Sequence, residues 1–138
     1  MDESLLEIRQ FSGKGYQPLI DFNTWRVAIL RWEDTSPPGN IESMERHIQT
    51  DEVFVLLEGE AVLILGGNGA GVDGIYPHKL EPCKLYNVKQ NTWHTALLSH
   101  DVSILIVENC DTGVENTEYC GLSPEFRKEI ISLSRDGS

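Results

Sequence analysis

The chain has 138 residues, of which 40% are hydrophobic, and a formal net charge of −11 at pH 7. That length suffices for one domain with a sizeable core, and the shortage of Lys and Arg argues against a nucleic-acid partner or an anionic membrane. No apolar run approaches the roughly 20 residues of a membrane span, the first residues are acidic, and the three cysteines lack C-x-x-C spacing. We therefore expect a cytoplasmic protein without a disulfide framework.

The first half of the chain reads as strands separated by turns. Residues 4–10 carry only a weak signal, for a short helix or an extra strand. Aromatic and β-branched residues at 25–32 predict a strand. Two prolines and a glycine within 35–40 end it, because such residues rarely continue a ladder.

A charged pair and a long apolar run follow. Glu45 and His47 are two residues apart, so on a strand both side chains leave the same face. Glu52 opens an apolar run that is interrupted around Gly59 and resumes at residues 61–65. This pattern predicts a hairpin with a carboxylate at its entrance.

The glycine-rich segment 66–74 contains five glycines in nine residues. A phosphate-binding loop is not indicated, because neither a Gly-Lys-Ser/Thr sequence nor a helix-forming segment follows. The segment instead predicts a flexible hairpin tip. Further short strands are predicted at 75–80, 84–88, 93–98 and 102–107, and such close spacing is typical of a β-sandwich or barrel.

The C-terminal segment is the clearest helix signal. Ser123 can cap a helix and Pro124 suits its first turn. Phe126, Ile130 and Leu133 then lie along one side. We predict a short helix at about 123–134.

The residues from Gly39 to Leu98 resemble two motifs of the cupin superfamily. Gly39-x5-Glu45-x-His47-x4-Glu52-x6-Gly59 reproduces every interval of G-x5-H-x-H-x4-E-x6-G, with Glu45 at the place of the first histidine. The second motif, G-x5-P-x-G-x2-H-x3-N, aligns with Cys83-x5-Lys89-x-Asn91-x2-His94-x3-Leu98, where only the histidine is identical. Asn91 replaces a glycine, and Asn tolerates positive φ better than most residues. The chain most resembles small single-domain cupins of undefined activity.

This resemblance implies an all-β, cupin-type double-stranded β-helix, or jelly-roll barrel, with a short C-terminal helix. We expect a single cupin domain over residues 1–138. Its barrel core would span about 25–108, and a C-terminal extension would carry the helix.

The resemblance also implies a metal site formed by Glu45, His47, Glu52 and His94. Two imidazoles and two carboxylates suit a divalent transition metal ion such as Fe, Mn, Ni or Zn. Two carboxylates would make the ion a weaker Lewis acid than three histidines would. Other roles stay open, since the histidines can be hydrogen-bonded core residues and Glu45 can face solvent or act as an acid/base.

Apolar and aromatic residues near these positions are candidates for a pocket wall: Phe54, Leu56, Tyr86 and Trp93. Trp93 adjoins His94 in the chain and should face away from it. Tyr86 is a candidate catalytic residue, because its hydroxyl could orient a substrate or donate a proton.

We expect a metal-dependent enzyme that acts on a small polar metabolite by oxygenase, isomerase or lyase chemistry. The alternative is a non-catalytic cupin that binds a small ligand or a metal. A homodimer is also expected, because the apolar segments 61–65 and 104–107 do not alternate. Their outer faces need a cover, which N-terminal strands or a partner subunit could provide, and many cupins are dimers.

Overall fold

Two five-stranded antiparallel sheets form the molecule, and the computed structural model describes residues 2–135. The strands and the helix are Tyr16–Phe22 (β1), Trp25–Arg31 (β2), Ser43–His47 (β3), Glu52–Glu58 (β4), Ala61–Leu65 (β5), Tyr76–Lys79 (β6), Tyr86–Val88 (β7), His94–Leu98 (β8), Ser103–Asn109 (β9), Thr117–Gly121 (β10) and Pro124–Arg135 (α1). The first sheet has the order β1-β2-β9-β4-β7 and the second β10-β3-β8-β5-β6. The predicted all-β, jelly-roll-like fold with a C-terminal helix is confirmed.

The turn at Gly59 carries the chain from one sheet to the other. β4 pairs with β7 and β9, whereas β5 pairs with β6 and β8. The predicted hairpin between these two apolar runs is therefore wrong. Gly59 has a φ of +75°, and a Cβ there would lie 2.7 Å from the Cα of Val102, so the crossing requires glycine.

Two edge strands lie outside the predicted barrel core of 25–108. β1 is at one edge of the first sheet, and β10 is at one edge of the second. Most of their residues are exposed or half-buried, so they lack the apolar runs that marked the inner strands. Residues 4–10 contain neither the helix nor the strand considered for them.

The main core lies between the two sheets. Phe54, Leu56, Ile104 and Ile106 come from the first sheet, and Leu63 comes from the second. All five are at most 4% exposed. Inward-facing residues therefore alternate along β4 and β9, as expected for strands with one buried face.

Helix α1 covers the outer face of the second sheet. Ile130 is fully buried and packs in a cluster with Val62, Ile64 and Trp93. The helix thus explains why β5 is apolar on both faces. No helix within residues 2–135 is long and apolar enough to span a membrane, and the cytoplasmic location stays a prediction.

The glycine-rich segment connects β5 to β6, which pair as a hairpin. Its backbone is anchored: the carbonyl oxygen of Gly69 accepts hydrogen bonds from the Arg46 guanidinium, at 2.8 Å, and from the Trp93 indole, at 3.0 Å. Asn91 has a φ of +66°, which confirms the expectation that this motif position needs a residue tolerant of positive φ.

Candidate metal centre

A cavity of about 480 Å³ lies between the inner faces of the two sheets. Its lining includes all four predicted ligands, which are Glu45, His47, Glu52 and His94. The structure thus brings together residues that are up to 49 positions apart in the sequence, from Glu45 to His94.

The second sheet supplies three of these groups. Glu45 and His47 lie two residues apart on β3, and Glu45 is paired in register with His94 on β8. One ligand atom from each of the three lies within 4.8 Å of the others. This spacing allows a single ion to contact all three.

Glu52 reaches the same point from β4 in the opposite sheet. Its Oε1 lies 3.1 Å from His47 Nε2 and 3.0 Å from His94 Nε2. Glu52, His47 and His94 are each less than 8% exposed. The carboxylate and both imidazoles are thus largely removed from solvent.

The backbone fixes the protonation pattern of the His94 ring. Nδ1 lies 2.9 Å from the carbonyl oxygen of Thr92, which can only accept a hydrogen bond, so Nδ1 carries the proton. In the neutral ring Nε2 then offers a lone pair. It has no hydrogen-bond partner, because its 3.0 Å contact with Glu52 lacks hydrogen-bond geometry. Two electron-rich atoms at this distance favour a cation between them, so the residues present fit a metal ion.

Solved structures share this architecture, although no family model and no curated protein matches the chain. A Streptomyces Pac13 variant with uridine has a TM-score of 0.57 at 11% identity, over 88% of each chain. A second Pac13 structure, described as a nucleoside dehydratase, has a TM-score of 0.56 at 12% identity, over 85% of this chain and 88% of that one. A 3,4-ketoisomerase from Helicobacter canadensis has a TM-score of 0.52 at 13% identity, over 80% and 75%.

These proteins have the cupin fold. So does this chain. At these identities the likeness concerns the fold, and the cupin resemblance of the sequence is confirmed at that level. In this cupin fold, β3, β4 and β8 carry the four predicted ligands.

A fifth charged group at the cupin centre, Glu108, was not predicted. It lies on β9, is 6% exposed and lines the same cavity. The Tyr16 hydroxyl donates a hydrogen bond to its Oε2, whereas its Oε1 has no partner. His47, Glu52 and Glu108 form a second group whose ligand atoms lie within 4.8 Å of one another. The alternation of Ile104, Ile106 and Glu108 was the available signal, but the predicted strand ended at residue 107.

The buried charges shift one another's pKa values. Burial lowers the pKa of His47 and of His94, but the Glu52 carboxylate outweighs this effect and raises both. Burial raises the pKa of Glu52, yet the two imidazoles bring it below its usual range. Burial and the charge of Glu52 raise the pKa of Glu108. The raised pKa values mean that His47, His94 and Glu108 hold protons more readily than free side chains do, and an incoming cation would have to displace such protons.

The predicted wall residues are only partly at the cavity. Phe54 lines it, with its ring centroid 6.1 Å from that of His94. Leu56 packs in the core, and Trp93 packs in the outer cluster under the Arg46 guanidinium, facing away from the centre as expected. The Tyr86 hydroxyl accepts a hydrogen bond from the backbone N–H of Glu81 at 3.0 Å, and Tyr86 is not among the described residues that line the cavity.

The cavity is acidic and rich in hydroxyl groups. Among the described residues, its lining contains no Lys and no Arg. It contains four glutamates, namely Glu33, Glu45, Glu52 and Glu108. Its hydroxyl side chains are Tyr16, Thr35, Ser36, Ser43, Thr95, Thr112, Thr117 and Tyr119.

Proposed function

We propose that this protein is a metal-dependent enzyme that acts on a small, uncharged polar metabolite. The ion would be held by Glu45, His47, Glu52 and His94. One observation carries the proposal: a buried carboxylate oxygen lies about equally close to two imidazole nitrogens, at 3.1 and 3.0 Å, and one of these nitrogens has no hydrogen-bond partner.

The donor set suits a divalent Fe, Mn, Ni or Zn ion, because nitrogen and carboxylate ligands of this kind are used by all four. When bound, such an ion would polarise a carbonyl or hydroxyl oxygen of the substrate. The protein itself orients the ligands: Thr92 holds the His94 ring, and the Thr117 hydroxyl lies 3.0 Å from His47 Nδ1. Fixed rings of this kind hold a metal more tightly than free ones.

The charge of the cavity supports a neutral substrate. Four carboxylates, in a described lining without Lys or Arg, would disfavour a phosphate or a carboxylate. Hydroxyl side chains can instead hydrogen-bond the hydroxyls of a sugar-like or nucleoside-like molecule. The volume of about 480 Å³ is in the range of small-ligand pockets.

Isomerase or lyase chemistry has the better support among the possible reactions. Two of the solved structures with this fold are described as a nucleoside dehydratase and a 3,4-ketoisomerase. Both reactions move protons at carbon or oxygen, which suits a site with several carboxylates and imidazoles.

A screen in deuterated water tests this proposal. The metal-loaded protein would be incubated with neutral sugars and nucleosides, and with their phosphates as a comparison set. We expect loss of water or incorporation of deuterium in one neutral compound, detected by mass spectrometry, and none in its phosphate. His94→Ala should be inactive, while His100→Ala should match the wild type, because His100 is exposed and stacks on Trp32.

Binding without turnover of any compound would favour the alternative, a non-catalytic cupin that binds a small ligand or a metal. Turnover of phosphates in preference to neutral compounds would contradict the substrate class. Equal activity of His94→Ala and the wild type would contradict the metal-dependent mechanism.

We also propose a homodimer that forms through the outer face of the first sheet. Val27, Ile29, Val55, Leu105 and Val107 lie on this face and are each only half-buried. An apolar strip of this kind is typical of an interface.

Sedimentation at micromolar concentration is expected to show a dimer of the 15.5 kDa chain. Val55→Glu on this face should give a monomer. The control is Glu129→Lys on the exposed face of α1, which should leave the dimer intact. Thr95→Glu would not serve as a control, because Thr95 lines the cavity. A wild-type chain that stays monomeric would contradict the proposal.

A further inference from the structure

We propose that Glu108 is a further ligand of the metal ion and binds it through Oε1. This inference rests on the proposed function and adds to its four ligands a carboxylate from β9. Three features of Glu108 support this role: its position beside Glu52, its unpartnered Oε1, and a described cavity lining without Lys or Arg.

The sheet register places Glu108 beside Glu52. Val53 on β4 is paired with Val107 on β9 in an antiparallel ladder. Glu52 precedes Val53 and Glu108 follows Val107, so the two glutamates are neighbours on the inner face. Two carboxylates placed opposite each other across a ladder repel, and burial strengthens the repulsion. A cation between them would remove this cost.

The described cavity lining contains no Lys or Arg that could provide that cation. Arg26 is the register partner of Glu108 on β2. Its guanidinium is engaged by Asp21, with Nε 2.9 Å from Oδ1. This guanidinium is therefore committed to another carboxylate.

The two oxygens of Glu108 have different surroundings. Oε2 accepts the hydrogen bond of the Tyr16 hydroxyl, which fixes the orientation of the carboxylate. Oε1 is buried without a partner, in a side chain that is 6% exposed. Leaving a polar oxygen unsatisfied in the interior is costly, so this atom is placed to receive a ligand.

His47 connects Glu108 with the proposed ligand set. His47 belongs to both groups of ligand atoms that lie within 4.8 Å of one another, one with Glu45 and His94 and the other with Glu52 and Glu108. Three carboxylates and two imidazoles form a harder, more anionic set than two and two. Mn²⁺ should therefore bind well.

Calorimetric titration with Mn²⁺ tests this role. Glu108→Gln keeps the size of the side chain and removes its charge, and Glu108→Asp keeps the charge and shortens the reach. We expect each to weaken Mn²⁺ binding by about 10- to 100-fold. Glu33→Gln is the matched control: Glu33 lines the same cavity but belongs to neither ligand group, so its affinity should stay within about twofold of the wild type. Circular dichroism and thermal melts would verify that each variant is folded.

Wild-type affinity in Glu108→Gln would overturn the assignment and would favour a proton shared with Glu52, because an amide can still donate that hydrogen bond. Weak binding in Glu108→Gln combined with wild-type affinity in Glu108→Asp would also overturn it, because charge rather than direct contact would then matter. If the wild type itself bound no metal, the proposed function would fail. Normal wild-type binding with unaffected Glu108 variants would refute this inference alone.

Discussion

Glu45 is the residue that distinguishes this centre from the usual cupin motif, which has a histidine at the same interval. It faces His94 across the β3–β8 pair, and its carboxylate lies within 4.8 Å of both histidine ligand atoms. We expect Glu45→Gln to weaken metal binding by about tenfold, because an amide is a poorer ligand than a carboxylate. The exposed Glu42 provides a matched control, and Glu42→Gln should bind as the wild type does. Unchanged affinity in Glu45→Gln would contradict direct ligation by Glu45 and would favour either an acid/base role or a supporting contact to one of the ligands.

The two glycines of the first motif have different structural roles. Gly59 has a positive φ and no room for a Cβ, whereas a Cβ on Gly39 would meet no atom within 4 Å. Gly59→Ala should therefore lower the free energy of unfolding by about 1–3 kcal/mol or more, while Gly39→Ala should change it by less than about 0.5 kcal/mol. Chemical denaturation measures both values. Equal effects of the two substitutions would contradict this assignment.

The sequence was informative about ligands that are close in the chain. Glu45 and His47 share a face because side chains alternate along a strand, and Glu52 follows after one turn. Tyr16 and Glu108 could not be connected in this way, since 92 residues separate them and only the strand register brings them together.

At the scale of elements, the apolar runs predicted the inner strands but not their pairing. A glycine turn between two apolar strands looks the same in a hairpin and in a crossing between sheets. At Gly59 the chain crosses from the first sheet to the second: β4 pairs with β9, β5 pairs with β8, and the two strands do not pair with each other. Both strands have a face in the core. Local sequence does not contain this information, which depends on partners from distant parts of the chain.

Helix α1 is expected to contribute much of the packing on the second sheet. Ile130 is 0% exposed, so Ile130→Ala should lower the free energy of unfolding by about 2–5 kcal/mol. Glu129→Ala, at the adjacent exposed position, should have little effect. Thermal or urea unfolding would check both. A change in the free energy of unfolding of less than about 1 kcal/mol in Ile130→Ala would contradict tight packing of α1 against this sheet.

For the whole molecule, the ionisable cluster predicts opposite pH responses without and with metal. The pKa values of His47, His94 and Glu108 are raised in the folded state, so their contributions to stability are present below the unfolded pKa values and are lost as pH rises through the folded ones. Glu52, whose pKa is lowered from 4.5, contributes above that value, and its contribution is lost as pH falls through the folded value.

The metal-free protein should accordingly melt at a higher temperature near pH 5.5 than near pH 8. Stabilisation by added Mn²⁺ or Zn²⁺ should grow over the same range, because the ligands must lose protons to bind. Differential scanning fluorimetry at several pH values measures both trends. A metal-free melting temperature that rises toward pH 8 would contradict the assigned pKa directions.

Metal analysis of the protein purified without an affinity tag and without added metal tests the central claim most directly. We predict close to one equivalent of Fe, Mn, Ni or Zn per chain, or one equivalent after incubation with the preferred ion. His47→Ala and His94→Ala should lose it, and His100→Ala should keep it. A wild-type protein that stays metal-free after incubation with each of the four ions would contradict the account.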